Sequence, residues 1–177
     1  MNNYESFKSD LAYSHIYDSY ISSFLENWFE GSVEVVNDLV RQKQGIDFIV
    51  HIGNNKHINI DLKTYRNWHK ELYLEKYTNR FTQQDGWLTS ADSLTSTYVF
   101  YIPSANIIYL ASAALLKTVV SFVETLSLED YLKFYRFNTN SNGSYYAVPV
   151  STIQLIAKDK GFTDFVEINL NKLYGVE

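Results

Sequence analysis

Residues 45–63 read GIDFIVHIGNNKHINIDLK. Apolar and polar side chains alternate on both sides of Gly53-Asn54-Asn55, the pattern of two strands that each turn one face to a core. Ile46, Phe48, Val50 and Ile52, then Ile58, Ile60 and Leu62, form the apolar face. Asp47, Ile49 and His51, then His57, Asn59, Asp61 and Lys63, are left on the other. Only an odd-numbered loop keeps both apolar sets on one side, and a three-residue connection is a known hairpin type. That register sets Asp47 opposite Asp61, with cross-strand Cβ atoms about 4.5–5.5 Å apart. Two like charges at that spacing repel unless a cation lies between them. Both carboxylates can reach one Mg²⁺ at contacts of about 2.0–2.1 Å, with Lys63 pointing the same way. The competing reading is an exposed sheet face whose Lys–Asp pair carries little energetic weight.

The chain has 177 residues, 46% hydrophobic and 20% charged, which suits one globular domain over 1–177 with a single core. With no cysteine, disulfides, thiolate zinc sites and thiol nucleophiles are excluded together. A metal would have to be held by oxygen or imidazole, which favours a hard cation. The opening MNNYESFKSD lacks a basic start followed by an apolar run, so a cytoplasmic protein without a secretory signal is expected. The most apolar segment, IIYLASAALLKTVVSFV at 107–123, is broken by Lys117 and falls short of the about 20 residues a spanning helix needs. It reads as a core strand and helix, and no membrane partner is expected. The net charge of −5 gives no general pull toward nucleic acid, but residues 38–80 carry eight Lys and Arg against five acids. A local excess of that kind steers a polyanion to one face, although a solvated surface has the same signature.

In the first segment Phe7, Leu11, Ser14, Asp18, Ile21, Leu25 and Trp28 recur at steps of four and three, an amphipathic stripe interrupted by an acid. Asp18 reads either as the N-cap of a later-starting helix or as a buried carboxylate that a cation or donor must compensate. Glu26 projects about 80° from the stripe, toward solvent. ELYLEKY (71–77) reads as a third strand, with Glu75 either a further ligand or the partner of Arg66 or Arg80. QQDGWL reads as a turn, and STYVFYI and ANIIYL as a hairpin across Pro103-Ser104. SLEDYLKFYRF is expected to be helical from Ser127 and NTNSNGS to be a loop. YYAVPVSTIQLIAKD reads as a strand feeding a helix capped by Ser151.

An acid on the first helix, GID closing a strand and IDLK on the next strand resemble the signature of the PD-(D/E)XK nuclease superfamily. QKQGIDFIV, INIDLKTYRN, LYLE, GWL before TYVFYI, and AVPVS are similar to small stand-alone bacterial and phage members of it. The resemblance is tight from Gln42 to Thr64 and loose over about 10–155. The chain departs from the pattern in having Asp61 where Glu is common and Thr97 where similar proteins often carry an acid.

The resemblance implies a restriction-endonuclease-like α/β fold, with a mixed central β-sheet flanked by α-helices. It also implies Mg²⁺- or Mn²⁺-dependent hydrolysis of phosphodiester bonds in DNA. On that reading Asp47, Asp61 and the carbonyl of Leu62 bind the metal, and Asp18 binds a second metal or a metal-bound water. Lys63 orients the attacking water beside the scissile phosphate. Arg41, Lys43, Arg66, His69 and Lys70 flank the cluster as candidates for backbone phosphate contacts. A homodimer would allow both strands to be cut. The alternative is a nuclease-like fold that binds nucleic acid or protein without cutting, such as a phage counter-defence factor. RNA cleavage would use the same metal chemistry. Serine catalysis lacks its G-x-S-x-G element, and the four His residues lack zinc spacing.

Overall fold

The computed structural model describes residues 16–53, 55–138 and 142–175. A helix, α1 (Asp18–Phe29), leads to a short strand, β1 (Ser32–Val35), and a short helix, α2 (Leu39–Lys43). The hairpin follows as β2 (Phe48–Ile52) and β3 (Lys56–Thr64), then β4 (Glu71–Asn79), the two-residue β5 (Gln84–Asp85) and β6 (Thr97–Ile102). A 3-10 turn at Pro103–Ala105 reverses the chain into β7 (Ile107–Ser112), which runs on into α3 (Ala113–Glu124). The chain closes with α4 (Leu128–Phe134), β8 (Tyr135–Phe137), β9 (Ser144–Pro149), α5 (Val150–Lys160), β10 (Val166–Asn169) and α6 (Leu170–Leu173).

The architecture is mixed α/β with two sheets. The larger has the order β1-β2-β3-β6-β7-β10, antiparallel at every joint except the parallel β3–β6 pair. The smaller, β5-β4-β9-β8, is antiparallel throughout. The hairpin register runs from Phe48–Ile60 to Ile52–Lys56 around residues 53–55, the odd-numbered turn expected from the alternation. Gly53 and Asn55 both take positive φ there, the left-handed conformation that Gly and Asn accept most readily.

Each face of the larger sheet has its own cover. On one, Ile21, Phe24 and Leu25 of α1 are buried with Phe48, Val50, Ile60, Leu62 and Val99. Complete burial of such side chains is worth roughly 1.5–3 kcal/mol each, enough for three of them to fix the helix in place. On the other face, Tyr98, Phe100 and Ile102 of β6 pack with Leu72 and Leu74 of β4, Tyr146 and Val148 of β9, and the apolar sides of α3 and α5. The sheet is therefore flanked by helices on one side and by a second sheet with helices on the other, where helices alone were expected.

Several sequence expectations change. The three strands after α1 are β1, β2 and β3, because the four-residue SVEV forms an unforeseen edge strand. ELYLEKY pairs with β9 in the other sheet. Ile46 leaves the hairpin face and packs with Val36 and Ile49. The segment from Ser127 is helical only to Phe134 before β8 begins, with Ser127 as its cap, accepting from the Asp130 amide. α5 starts at Val150 behind Pro149, which excludes Ser151 as its cap. Residues 1–15, and with them Phe7, Leu11 and Ser14 of the first expected stripe, lie outside the described residues. No helix among those described is long and apolar enough to cross a membrane.

Candidate active site

The alternation that buries Ile60 and Leu62 on the α1 face sends Asp61 and Lys63 toward the second sheet. Asp61 is only 2% exposed, and its Oδ1 holds the Lys63 ammonium at 2.7 Å. Its other oxygen, Oδ2, is buried with no hydrogen-bond partner. Asp47 stands one residue before β2, so GID opens that strand and does not close one. The paired ladder stops at Phe48–Ile60, and Asp47 is fastened beside it by other bonds. Its amide donates to the carbonyl of Ile60 at 2.8 Å, its carbonyl accepts from Val36 at 2.8 Å, and its Oδ2 accepts from the Leu62 amide at 2.8 Å.

Burial dominates the electrostatics. Desolvation raises the Asp61 pKa to about 7; the Lys63 ammonium opposes that rise and the Asp47 carboxylate adds to it. Burial pulls Lys63 down, but the Asp61 and Asp47 carboxylates more than offset it, so the ammonium is held above its ordinary range. One face of Trp87 lies 4.9 Å from the Lys63 nitrogen, a cation–π contact that further fixes it.

These groups open into a cleft of about 630 Å³ whose walls include Lys43, Gly45, Asp47, Asp61, Lys63 and Trp87. Gly45 makes the cleft floor possible. Its φ is +75°, and a Cβ there would meet Thr95 Oγ1 at 2.7 Å and Asp61 Oδ2 at 3.5 Å. The Thr95 hydroxyl donates to the Gly45 carbonyl at 2.5 Å, tying the acid-bearing turn to the chain before β6. Gly45→Ala is expected to cost about 1–2 kcal/mol for the left-handed backbone alone, with the Thr95 clash adding to it. Thermal unfolding would measure this, and an unchanged melting temperature would contradict it.

Of the residues singled out from sequence, Asp47, Asp61, Leu62, Lys63 and Lys43 line this cleft. Asp18 is not among the residues that line it. It occupies the first turn of α1, whose buried face packs on the opposite side of the sheet, with neighbouring Tyr17 against Tyr101. Of the expected stripe, Ile21 and Leu25 are buried on the Ile60 and Leu62 face and Trp28 is exposed. Arg41 is ion-paired with Glu34 at 2.9 Å and lies 3.9 Å from Asp38. Arg66 and His69 line an adjoining hollow of about 490 Å³ that shares Leu62 and Lys63 with the cleft. Lys70 lies beyond it, at the β3–β4 bend, with a positive φ. Glu75 pairs with neither arginine; its Oε2 accepts the Trp87 amide at 3.2 Å. Glu26 is exposed on α1, as expected.

No family model, curated protein or solved structure matches the chain. The site therefore has to be read from its own chemistry. Trp87, Tyr98 and Thr95 were missed by sequence reasoning. Tyr98 neighbours Asp61 in the parallel ladder and sends its hydroxyl to the Trp87 carbonyl at 3.4 Å. GWL reads as the end of a turn and as part of the resemblance, and nothing local says that its ring covers a lysine 24 positions earlier.

Among the described residues, no group of three or more His, Asp or Glu side chains could hold a metal. The two carboxylates remain. Mg²⁺ usually keeps several waters and takes one or two carboxylates, so the pair, with the unpartnered Asp61 oxygen, fits such an ion better than zinc.

Proposed function

We propose that the protein is a metal-dependent endonuclease of the restriction-endonuclease-like kind, hydrolysing phosphodiester bonds in DNA. One observation carries the reading: a buried carboxylate, Asp61, keeps one oxygen without a partner beside a second acid, while a lysine holds the other oxygen at the mouth of a cleft. A structural salt bridge would satisfy both oxygens, because a buried acceptor left unpaired costs stability. A helix ahead of the strands that carry the acids, followed by further α/β units, supports the fold assignment.

Asp47, Asp61 and the Leu62 carbonyl would hold Mg²⁺ or Mn²⁺, which when bound neutralises phosphoryl charge and acidifies water. The Leu62 amide holds Asp47 in place. The Lys63 ammonium sets a fixed positive charge where the scissile phosphate would lie and positions the attacking water. Lys43 on one side and Arg66 and His69 on the other would meet backbone phosphates, giving affinity without base choice. Arg41 would first have to release Glu34.

The test is a gel assay on supercoiled plasmid, linear duplex, branched DNA and RNA, with Mg²⁺ or EDTA, alongside sizing of the protein for a homodimer. Mg²⁺-dependent cutting of DNA is expected. Protein that binds no divalent ion and cuts none of these substrates would favour a nuclease-like binding factor. Asp61→Asn should weaken metal binding by at least the roughly 10–100-fold that losing an outer-shell partner costs, with cleavage falling in parallel. Calorimetry and single-turnover kinetics read the two effects separately.

A further inference from the structure

The segment Gly86-Trp87-Leu88 follows β5, and each of its residues is fixed for a separate physical reason. Leu88 is fully buried in the core between the two sheets. Gly86 lies so close to β4 that a Cβ would sit 2.5 Å from the Glu75 carbonyl oxygen, so no side chain fits there without moving the strand. Its amide donates to the Lys76 carbonyl at 2.8 Å. With both neighbours anchored, Trp87 is left half-buried, its ring face 4.9 Å from the Lys63 nitrogen. Three further contacts hold it. Its amide donates to Oε2 of Glu75 at 3.2 Å, its carbonyl accepts from the Tyr98 hydroxyl at 3.4 Å, and its ring lies 4.7 Å from that of Tyr98, centroid to centroid. Tyr98 is itself buried and is the ladder neighbour of Asp61.

Lys63 needs a hold that does not depend on Asp61 alone. Its ammonium and a divalent cation compete for the same carboxylate, and negative charge shared with the cation holds the lysine less strongly. A ring face attracts the ammonium through its quadrupole, carries no net charge and offers a hard cation no oxygen ligand. The attraction of Trp87 for Lys63 is therefore the same whether or not Asp61 is occupied.

We propose that Trp87 is a positioning residue for Lys63, and that Glu75 acts through it by holding its backbone in place, so that the ammonium stays directed into the cleft when Asp61 takes up a cation. The inference rests on the nuclease reading and adds to that site two residues that act only through the lysine. Glu75, on this account, is neither a metal ligand nor a proton acceptor.

The experiment pairs two measurements on Trp87→Leu, Trp87→Phe, Glu75→Ala and Glu75→Gln. The first is single-turnover cleavage of plasmid DNA with Mg²⁺ at saturating enzyme. Trp87→Leu should cut about 5- to 30-fold more slowly, the range set by losing one desolvated cation–π contact, and Trp87→Phe should recover most of the rate because a phenyl face also holds a cation. Glu75→Ala should slow cleavage too, and Glu75→Gln should restore it, because an amide oxygen still accepts the Trp87 N–H. The second is labelling with acetic anhydride in EDTA, read at each lysine by mass spectrometry, which needs no activity. Lys63 should label faster in Trp87→Leu and Glu75→Ala, where the amine is uncovered and its charged form is less favoured. In Glu75→Gln, which removes the charge and keeps the acceptor, it should label as in wild type. Lys76, paired with Glu124 at 2.8 Å, should label alike in all of them.

Lys63 labelling unchanged in Trp87→Leu, both lysines labelling faster, or Glu75→Gln behaving like Glu75→Ala would overturn the proposal. Should Trp87→Leu fail to fold, the Glu75 pair still decides the matter. The two measurements also separate the two readings. The expected labelling in a protein that cuts no DNA removes the nuclease and keeps the hold on Lys63; cleavage with Lys63 labelling indifferent to these variants does the reverse.

Discussion

Lys63→Ala at about pH 9 is expected to bind Mg²⁺ as wild type does and to cleave roughly 10²–10³-fold more slowly in a single turnover. An ammonium is not a metal ligand, so its loss leaves the carboxylates in place. The pH matters because Lys63 is the main group opposing the rise of the Asp61 pKa to about 7. Without it Asp61 would hold its proton to still higher pH, and near neutrality a fall in metal affinity would be confused with a catalytic loss. At about pH 9, where the acid is closer to fully ionised, the two effects separate. Metal titration by calorimetry and single-turnover cleavage, run on the same preparations, would check this. A variant cutting at the wild-type rate would remove Lys63 from the mechanism even if the protein is a nuclease.

Asp61 should also make the metal-free fold sensitive to pH in an unusual direction. Most carboxylates stabilise a fold once ionised, but this one is raised from 3.8 to about 7 by burial. The folded state binds the proton more tightly than the unfolded state. The stabilisation linked to that proton is complete below the unfolded pKa and is lost as pH rises through the folded one. A displacement from 3.8 to about 7 corresponds to about 4 kcal/mol as an upper scale. In EDTA, Asp61→Asn should therefore gain stability relative to wild type as pH rises from about 4 to about 7. Taking the difference between the two proteins removes the contribution of the other carboxylates, including Glu124, which its partners hold below its ordinary range against the effect of burial. Thermal or urea unfolding across that window tests it, and a flat or falling difference would be the contrary result.

The hairpin was legible because its information is local. Strict alternation and an odd turn leave one register, and that register brings Asp61 and Lys63 beside the start of β2, where Asp47 stands. The remainder of the site was not legible, because it depends on which distant segments meet. β4 alternates as clearly as β3, but alternation does not say which sheet a strand joins. The bend at residues 65–70, with Lys70 in the left-handed region, carries it to β9. Asp18, which does not line the cleft, illustrates a related limit. Periodicity shows that a helix has a buried face, not which side of a sheet that face covers. β1 and β10 are four-residue strands at the sheet edges, too short for a pattern to stand out.

The single parallel seam, β3 against β6, has a consequence for how the protein comes together. Its other neighbours within the larger sheet include two tight hairpins, β2–β3 and β6–β7, which close over a few residues. The seam instead joins positions such as Asn59 and Ser96, 37 residues apart, with β4 and β5 looped out between them. Loop-closure entropy places that joining after the hairpins. The two acids and the lysine are thus neighbours while still bathed in water, and they become a low-dielectric cluster only when Thr95, Trp87 and Tyr98 arrive with the seam. Burying the charges follows the local hairpins, so the seam is where folding meets its electrostatic barrier.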